Sequence, residues 1–198
     1  NQGGTAATGD VFLFLDADLE WSARSLLRLL QAGEHHDFVC GVYPKKLEAR
    51  TEFPMRPAAD AQGRVERCAH CGAVELERAP CGFMLLQRPA LQRMFAAYPN
   101  LHCELDPKLS PAEQPWSAAL FDTDIEGGRS QRRYVSEDFV FSRRWRALGE
   151  RIWALPELAL THHGAKEFTG TLAEQMLSVH EESTKENEDE KRCAAAKL

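Results

Sequence analysis

The stretch VFLFLDADLEW, residues 11–21, carries the clearest indication of how this chain folds. Its five apolar residues predict a strand over 11–15, and a continuous apolar run is typical of a parallel strand covered on both faces. Two carboxylates, Asp16 and Asp18, follow at once. Residues i and i+2 of an extended chain point to the same side, so we expect the two carboxylates to converge where the strand ends. Because a buried charge is costly unless it is paired or binds a metal, this pair needs a partner.

Converging carboxylates at the end of a strand suit a metal ion that carries phosphate. Ligands of open α/β sheets bind beyond the carboxyl ends of the strands. Two carboxylates there can hold a hard divalent cation and leave positions open for phosphate oxygens. A motif as short as D-x-D also arises by chance, and the same aspartates could cap the following helix. On these residues alone both interpretations stay open.

Length and charge exclude some classes of protein. The chain has 198 residues, which is enough for one domain with a substantial core. Its net charge of −6 disfavours nucleic acid as a partner, since nucleic-acid binding usually requires a basic surface. No apolar run reaches the roughly 20 residues of a membrane-spanning helix. The sequence starts at Asn1, so we expect a fragment whose location, cytoplasmic or in the ER and Golgi lumen, depends on an upstream region.

The remaining pattern predicts alternating strands and helices. Ser22 is predicted to cap a helix that runs to about residue 32, and a strand over 37–44 would complete a β-α-β unit. The polar stretch 45–78 is predicted to be a loop or insertion, and 99–133 a long loop that we expect to select the acceptor. The other predicted elements are a strand at 81–87, a helix after it, a helix at 136–150, and strand, turn and strand in RIWALPELALTHHG.

Two more groups could carry chemistry. Glu137 and Asp138 follow Ser136 at a helix start, where acidic residues commonly cap the helix, although one carboxylate could instead remove a proton from a nucleophile. In LALTHHG, His162 is predicted to share a strand face with Leu160. A histidine at a strand end can be an ordinary packed residue or a nitrogen ligand to a metal.

Five segments in this order resemble the nucleotide-sugar glycosyltransferases of the GT-A fold, over roughly residues 1–170. The segments are the strand ending in DAD, GVYPKK, CGFMLLQR, SEDFVFSRRWRALGERIW and LTHHG. The resemblance implies an α/β fold with a mixed, mostly parallel sheet and flanking helices. It also implies that the first nucleotide-binding strand would lie before Asn1. Residues 171–198 are expected to form a separate tail, helical at first and then charged and disordered.

The resemblance implies a metal centre. Asp16 and Asp18 match the D-x-D motif that holds a divalent cation, Mn²⁺ or Mg²⁺, on the sugar diphosphate. His162 and Gly164 fit the His-x-Gly setting of a further metal ligand, whereas His163 does not fit the spacing.

The resemblance also implies the catalytic cleft. Gly82 matches the glycine that lines the donor and acceptor cleft. Glu137 and Asp138 match the acidic pair of inverting members, with Asp138 the preferred base.

Three further residues have side chains that could contact a sugar nucleotide. Lys45 and Lys46 could add positive charge near the phosphates, or could be ordinary surface lysines. Trp21 could stack on a sugar or nucleotide, or could simply pack in the core.

The predicted function is therefore metal-dependent transfer of a sugar, of the hexosyltransferase type, from a nucleoside-diphosphate sugar, with inversion. The acceptor could be a glycan, a protein or a lipid. The same aspartates would also serve a metal-dependent phosphoryl or nucleotidyl transferase, although no phosphate-cradling glycine loop supports that class.

A different alternative starts at RCAHCG. Cys68 and Cys71 have the spacing of half a zinc site, and Cys81 with His70 or Cys103 could complete it in a zinc-stabilised binding module. The second C-x-x-C that would strengthen this hypothesis is missing.

Overall fold

The computed structural model describes residues 9–48, 51–103, 110, 114, 117–128 and 131–176. The strands are β1 (Val11–Leu15), β2 (Leu19–Glu20), β3 (Phe38–Gly41), β4 (Arg56–Pro57), β5 (Val74–Arg78), β6 (Phe83–Gln87), β7 (Asp124–Glu126), β8 (Arg133–Val135), β9 (Ile152–Leu155), β10 (Leu160–His163) and β11 (Glu167–Gly170). The helices are α1 (Ala23–Gly33), α2 (Arg88–Ala97) and α3 (Glu137–Ala147), with a 3-10 turn at Pro99–Leu101. A further helical turn covers 172–176. The rest of the predicted tail lies outside the described residues.

A six-stranded mixed sheet forms the centre of the fold, in the order β1-β6-β3-β9-β5-β4. β1, β3, β9 and β4 run in one direction, and β6 and β5 run against them. Only β3 and β9 are direct parallel neighbours among these strands, because β6 and β5 separate the others. Helices flank the sheet, so the predicted mixed α/β class is confirmed.

β1 departs from its predicted setting. It pairs antiparallel with β6 and lies at the edge of the sheet formed by the described residues. The side chains on its outer face are half-exposed, with Leu13 at 37% and Leu15 at 41%. The expectation of a parallel strand buried on both faces is therefore wrong, since an apolar run does not reveal which strand pairs with it.

The two faces of the sheet carry two apolar cores. Alternate residues of β6 point to opposite faces, so Met84 joins the core under α2 and α3 while Leu85 joins the core under α1. On the first face Phe141 and Trp145 of α3 are fully buried. On the second face Leu29 of α1 is fully buried. These two layers of helices fix the sheet from both sides.

Helix α1 forms as predicted. The Ser22 hydroxyl accepts a hydrogen bond from the Ser25 amide at 3.0 Å, which satisfies a backbone donor of the first turn. The helix ends at Gly33, where the carbonyl accepts a hydrogen bond from the Gln87 side chain. α1 therefore connects β1 to β3 across one face of the sheet.

The segment 45–78 is not only a loop. Its last residues form β5, which pairs antiparallel with β9 and extends the central sheet. Its sequence, VELER, hides the strand because the charged Glu75 is buried. Glu75 accepts hydrogen bonds from Arg146 at 2.7 Å and Arg151 at 2.6 Å, so its charge is compensated.

Two smaller sheets complete the described fold. β10 lies between β2 and β11, and both pairings are antiparallel. β7 pairs antiparallel with β8, so the stretch 99–133, predicted as a loop without strands, contains β7 and the first residue of β8. None of the described helices is long and apolar enough to cross a membrane.

Candidate metal and catalytic site

The candidate site, called the acidic centre below, forms at the edge of the sheet where β1 ends and β6 begins. The Asp16 amide donates a hydrogen bond to the Gly82 carbonyl at 2.8 Å. The Tyr43 hydroxyl lies 3.4 Å from Asp16 Oδ2 and donates to it. Tyr43 follows the carboxyl end of β3, so two strand ends and one strand start supply these groups. This is the edge of an α/β sheet at which ligands are expected to bind.

Gly82 makes this close packing possible. A Cβ atom at Gly82 would lie 2.2 Å from Asp16 Oδ2 and 2.6 Å from the Tyr43 hydroxyl oxygen. Any larger residue would displace the Asp16 carboxylate, so a glycine is required by contact rather than by backbone conformation. The predicted glycine of the cleft therefore lies directly against Asp16.

Asp18 is tied to the end of β10. Its carbonyl accepts a hydrogen bond from the His163 amide at 2.9 Å, next to the β2–β10 pairing. Its carboxylate Oδ2 lies 2.6 Å from Lys46 Nζ and 3.4 Å from His162 Nε2. The hydrogen bond from Lys46 holds the pKa of the Asp18 carboxyl below its usual value. Asp18 and His162, predicted as ligands of one metal, are thus neighbours. In this structure the Lys46 ammonium group balances the charge of Asp18.

The tautomer of His162 follows from its second contact. Nδ1 lies 2.9 Å from the Pro44 carbonyl oxygen, and a carbonyl can only accept, so Nδ1 carries the hydrogen. In the neutral ring Nε2 then presents a lone pair to Asp18 Oδ2. Two acceptors that face each other need a proton or a cation between them. A histidine oriented by a carbonyl beside carboxylates fits the donor set of a divalent cation.

Lys46 reaches Asp18 across Gly164. A Cβ atom at Gly164 would lie 3.0 Å from the Lys46 Cδ atom, so the glycine leaves room for the lysine stem. Lys45 points elsewhere, because its ammonium group pairs with Glu52 at 3.0 Å. The two adjacent lysines, predicted together, therefore have different partners.

Asp138 lies at the start of α3, behind Asp16. Burial raises the pKa of the Asp138 carboxyl, and the negative charges of Glu137 and Asp16 raise it further, against hydrogen bonds from Cys81. Glu137 is exposed. The Ser136 side chain makes no capping hydrogen bond, although Ser136 precedes the first helical residue as predicted. Asp138 thus belongs to the acidic centre, whereas Glu137 lies at its rim.

Trp21 packs against the sheet. Its ring lies 6.0 Å from the ring of Phe83, at a tilted angle. It is partly buried in the core under α1. The structure therefore gives this side chain a packing contact.

Tyr43 is the residue that sequence reasoning missed. It donates to Asp16, and its ring meets the edge of the His162 ring at 5.0 Å between centroids. Burial raises the pKa of its hydroxyl, and the nearby Asp16 and Asp138 carboxylates add to the shift. Its position just after the carboxyl end of a predicted strand, in GVYP, was a usable indication.

The predicted zinc ligands are only partly together. Cys68, Cys71 and His36 have their ligand atoms within 4.8 Å of one another. The completion by Cys81 is wrong, because the buried Cys81 thiol donates to Asp138 in the acidic centre. Cys103 is exposed and also lies outside the group. His36, in EHHD, was not predicted as a member.

Two cavities lie near these elements. A pocket of about 370 Å³ is bordered by Lys45, Lys166 and Phe168, beside the Pro44 carbonyl that orients His162. A larger groove of about 740 Å³ runs along β4 and β5 and is bordered by Arg56, Asp60 and Glu75 among others. The larger groove contains no residue of the acidic centre, so size alone does not locate the candidate site.

Comparison with known proteins supports the resemblance. Residues 1–95 match the model of the family described as "Glycosyl transferase family 2". This match includes β1, the two aspartates, β3 and β6. The predicted resemblance to GT-A glycosyltransferases is therefore confirmed over residues 1–95. No curated protein matches the sequence.

Among solved structures, the chain is similar to the one titled "Crystal Structure of A197 from STIV". The identity is 17% and the TM-score 0.41, and the match covers 83% of this chain and 63% of that chain. The chain thus spans less than two thirds of the length of that structure.

Proposed function

We propose that the chain is the catalytic part of a glycosyltransferase that uses a divalent cation and a nucleoside-diphosphate sugar. The observation that carries the proposal is the contact between Asp18 Oδ2 and His162 Nε2, at 3.4 Å, with Nδ1 of the same ring on the Pro44 carbonyl. A proton or a cation between the carboxylate and the ring nitrogen would stabilise this pair. The family match over residues 1–95 supports the same class of reaction.

Asp16, Asp18 and His162 are the proposed metal ligands. A bound Mn²⁺ or Mg²⁺ would act as a Lewis acid that neutralises the departing diphosphate. The Pro44 carbonyl fixes the His162 ring, and the Tyr43 hydroxyl fixes the Asp16 carboxylate, so both ligands are oriented before any donor arrives. Lys46 holds Asp18 until a cation replaces it, and its ammonium group is then free to contact phosphate.

Asp138 is the proposed base. Its partial burial and raised pKa suit a carboxylate that takes a proton from the acceptor hydroxyl. The hydroxyl oxygen would form a bond to the anomeric carbon as the bond to the diphosphate breaks, and the proton would pass to Asp138. A base that faces the acceptor, opposite the leaving diphosphate, gives inversion. Glu137, exposed beside it, is proposed to contact the acceptor.

The donor is proposed to approach from the pocket of about 370 Å³. Lys166 borders this pocket and supplies positive charge, and Phe168 supplies an apolar wall. Lys45 also borders the pocket, but its charge is already paired with Glu52. Trp21, with its packing contact, is proposed for the rim of the same cleft. The stretch 99–133 is proposed to choose among glycan, protein and lipid acceptors.

Incubation of a protein that includes the expected region upstream of Asn1 with a panel of nucleotide sugars and Mn²⁺ tests the proposal. We expect one donor to release its nucleoside diphosphate, with a product of inverted configuration by NMR. Asp18→Asn should lose this turnover, whereas the matched control Asp60→Asn, on an exposed carboxylate paired with Arg64, should keep it.

Two results would contradict the proposal. A folded protein that turns over no donor would argue against the whole assignment. Release of a nucleoside monophosphate or pyrophosphate instead would indicate the phosphoryl or nucleotidyl transferase alternative, because the bond broken would then lie within the phosphate chain. A retained configuration would remove the role given to Asp138.

A further inference from the structure

A second cluster of ligand-type side chains lies apart from the acidic centre. It consists of His36, Cys68 and Cys71 and is called the thiol cluster below. We propose that the thiol cluster binds a structural zinc ion. This inference does not depend on the proposed transferase activity.

The distances suit zinc. The three ligand atoms lie within 4.8 Å of one another, and Cys71 Sγ is 3.5 Å from His36 Nε2. A tetrahedral zinc ion holds sulfur and nitrogen ligands about 3.6 Å apart, given bond lengths near 2.3 and 2.0 Å. The side chains therefore need only a small inward movement to ligate one ion.

The backbone around the two cysteines is built to hold sulfur. The turn is closed by hydrogen bonds from the Gly72 amide to the Cys68 carbonyl at 2.9 Å and from the Cys68 amide to the Ala73 carbonyl at 2.7 Å. Gly72 has a φ of +76°, in the left-handed region that favours glycine. Amides of His70 and Cys71 donate to Cys68 Sγ, and that of Ala73 donates to Cys71 Sγ. Such second-layer hydrogen bonds orient thiolate ligands and stabilise their charge.

The third ligand is held by packing. The His36 ring stacks on Trp153 at 4.5 Å between centroids, which directs it toward the cysteines. Arg151 lies over the same Trp153 ring at 4.4 Å. Arg28 donates to the Cys71 carbonyl at 3.1 Å. Two arginines therefore place positive charge near the cysteines, Arg151 near Cys68 and Arg28 near Cys71.

The ion would join two distant parts of the chain. Cys68 and Cys71 belong to the segment that leads into β5, and His36 lies between α1 and β3. The described residues offer His70 and His35, whose rings stack at 5.0 Å, as nearby candidates for a fourth ligand. A histidine as fourth protein ligand would close the site, and closed four-coordinate sites of two cysteines and two histidines are typical of structural zinc.

Metal analysis of the full chain, purified under reducing conditions with zinc present, tests the proposal. We expect about one tightly bound zinc per chain, as structural sites usually hold. After removal by a chelator, added Co²⁺ should give sulfur-to-cobalt charge-transfer bands and tetrahedral d–d absorption. Cys68→Ser and His36→Gln should abolish the cobalt bands, and chelation should lower the melting temperature of the wild type but not of Cys68→Ser.

Controls separate this site from the acidic centre. Cys103→Ser, an exposed cysteine outside the cluster, and Asp18→Asn should both keep the zinc and the cobalt bands. His70→Gln and His35→Gln identify the fourth ligand, since loss of the tetrahedral spectrum in one of them assigns it. The proposal is overturned if wild-type protein binds neither zinc nor Co²⁺ through sulfur, or if Cys68 and Cys71 form a disulfide that resists reduction.

Discussion

The acidic centre and the thiol cluster each contain a histidine held by its neighbours, yet they are opposite kinds of site. In the acidic centre the proposed ligands are two carboxylates and a histidine, and the Asp18 side chain is 48% exposed. In the thiol cluster two ligands are soft sulfurs, and Cys71 is buried behind a packed Trp153. Hard, open ligands suit a cation that exchanges with substrate, and soft, enclosed ligands suit one that stays. If both proposals hold, exposure and ligand type distinguish a catalytic cation from a structural one within one small domain.

The largest effect should come from the base. Asp138→Asn keeps the shape but removes the proton acceptor, so the transfer rate should fall by about 10²–10⁴-fold. Metal affinity should stay unchanged. Because Asp138 is partly buried near Glu137 and Asp16, loss of its charge should not lower the melting temperature. Steady-state rates with a manganese titration and a thermal melt check this, and a rate within twofold of the wild type would refute the assigned role.

A metal ligand should fail in a different way. Asp18→Asn should weaken Mn²⁺ binding by at least about 10–100-fold, and excess Mn²⁺ should restore part of the activity. Glu20→Gln is the control, since Glu20 pairs with His163 at 2.9 Å on the neighbouring strand and not with the centre. A manganese titration of turnover measures the difference. If Asp18→Asn loses activity without any change in its manganese dependence, Asp18 is not a ligand.

Gly82→Ala should damage the acidic centre through contact. The new Cβ atom would lie 2.2 Å from Asp16 Oδ2, so the carboxylate has to move. We expect a loss of about 1–3 kcal/mol in stability, the usual cost of overpacking, together with weaker metal binding. Gly128→Ala is the control, because a Cβ there meets nothing within 4 Å. The free energy of unfolding of both variants is measured by denaturant melts. Equal values would contradict the predicted contact between the Cβ atom and Asp16.

Substitution of Glu75 should change stability without changing activity, because its carboxylate lies outside both sites. Burial would raise the pKa of its carboxyl, but the hydrogen bonds and charges of Arg151 and Arg146 outweigh burial and lower it. Glu75→Gln should therefore cost about 2 kcal/mol at neutral pH, typical for hydrogen bonds to charged groups, and leave turnover intact.

The contribution of Glu75 to stability should depend on pH in a definite direction. A carboxyl with a lowered pKa stabilises the fold above its ordinary value of 4.5, and that contribution is lost as the pH falls below it. The gap between wild type and Glu75→Gln should thus shrink in acid. Glu77→Gln, on an exposed partner of Arg56, should cost less than about 1 kcal/mol. A gap that widens in acid would contradict the assignment.

The smallest expected effects are those of substituting Lys45 and Lys46, and they should differ between the two lysines. Lys45→Gln breaks only a surface pair with Glu52, so stability should change by less than about 1 kcal/mol. Lys46→Gln removes the ammonium group 2.6 Å from Asp18, so it should change both the manganese dependence and the donor KM. If both substitutions changed the manganese dependence and the donor KM equally, the different roles given to the two lysines would be contradicted.

Much of the acidic centre was predictable because it depends on local sequence. Asp16 and Asp18 follow a strand, and His162 ends one, so their spacing along the chain carried the information. The partners that position them were less visible. Tyr43 orients Asp16 through a contact across strands, and His36 joins the cysteines through packing on Trp153. Such contacts arise only after the sheet has formed.

The fold was predictable to a similar degree. Elements with a clear apolar period, such as α1 and β9, were anticipated. β5 was missed because a buried ion pair replaces apolar residues at Glu75, and a sequence pattern cannot show that compensation. The predicted setting of β1 was wrong because an apolar run indicates neither which strand pairs with it nor whether it lies at an edge of the sheet.

The small sheet that joins β2 to β10 has a consequence for how the molecule assembles. Its contacts connect residues far apart in the chain, such as Glu20 and His163, 143 positions away. Long loops of this kind close late in folding, since their entropy is lost before distant contacts repay it. A chain emerging from the ribosome therefore holds Asp16 and Asp18 long before it can present His162 to them. The complete acidic centre forms only when β10 has docked, so tight Mn²⁺ binding would report that the domain has finished folding.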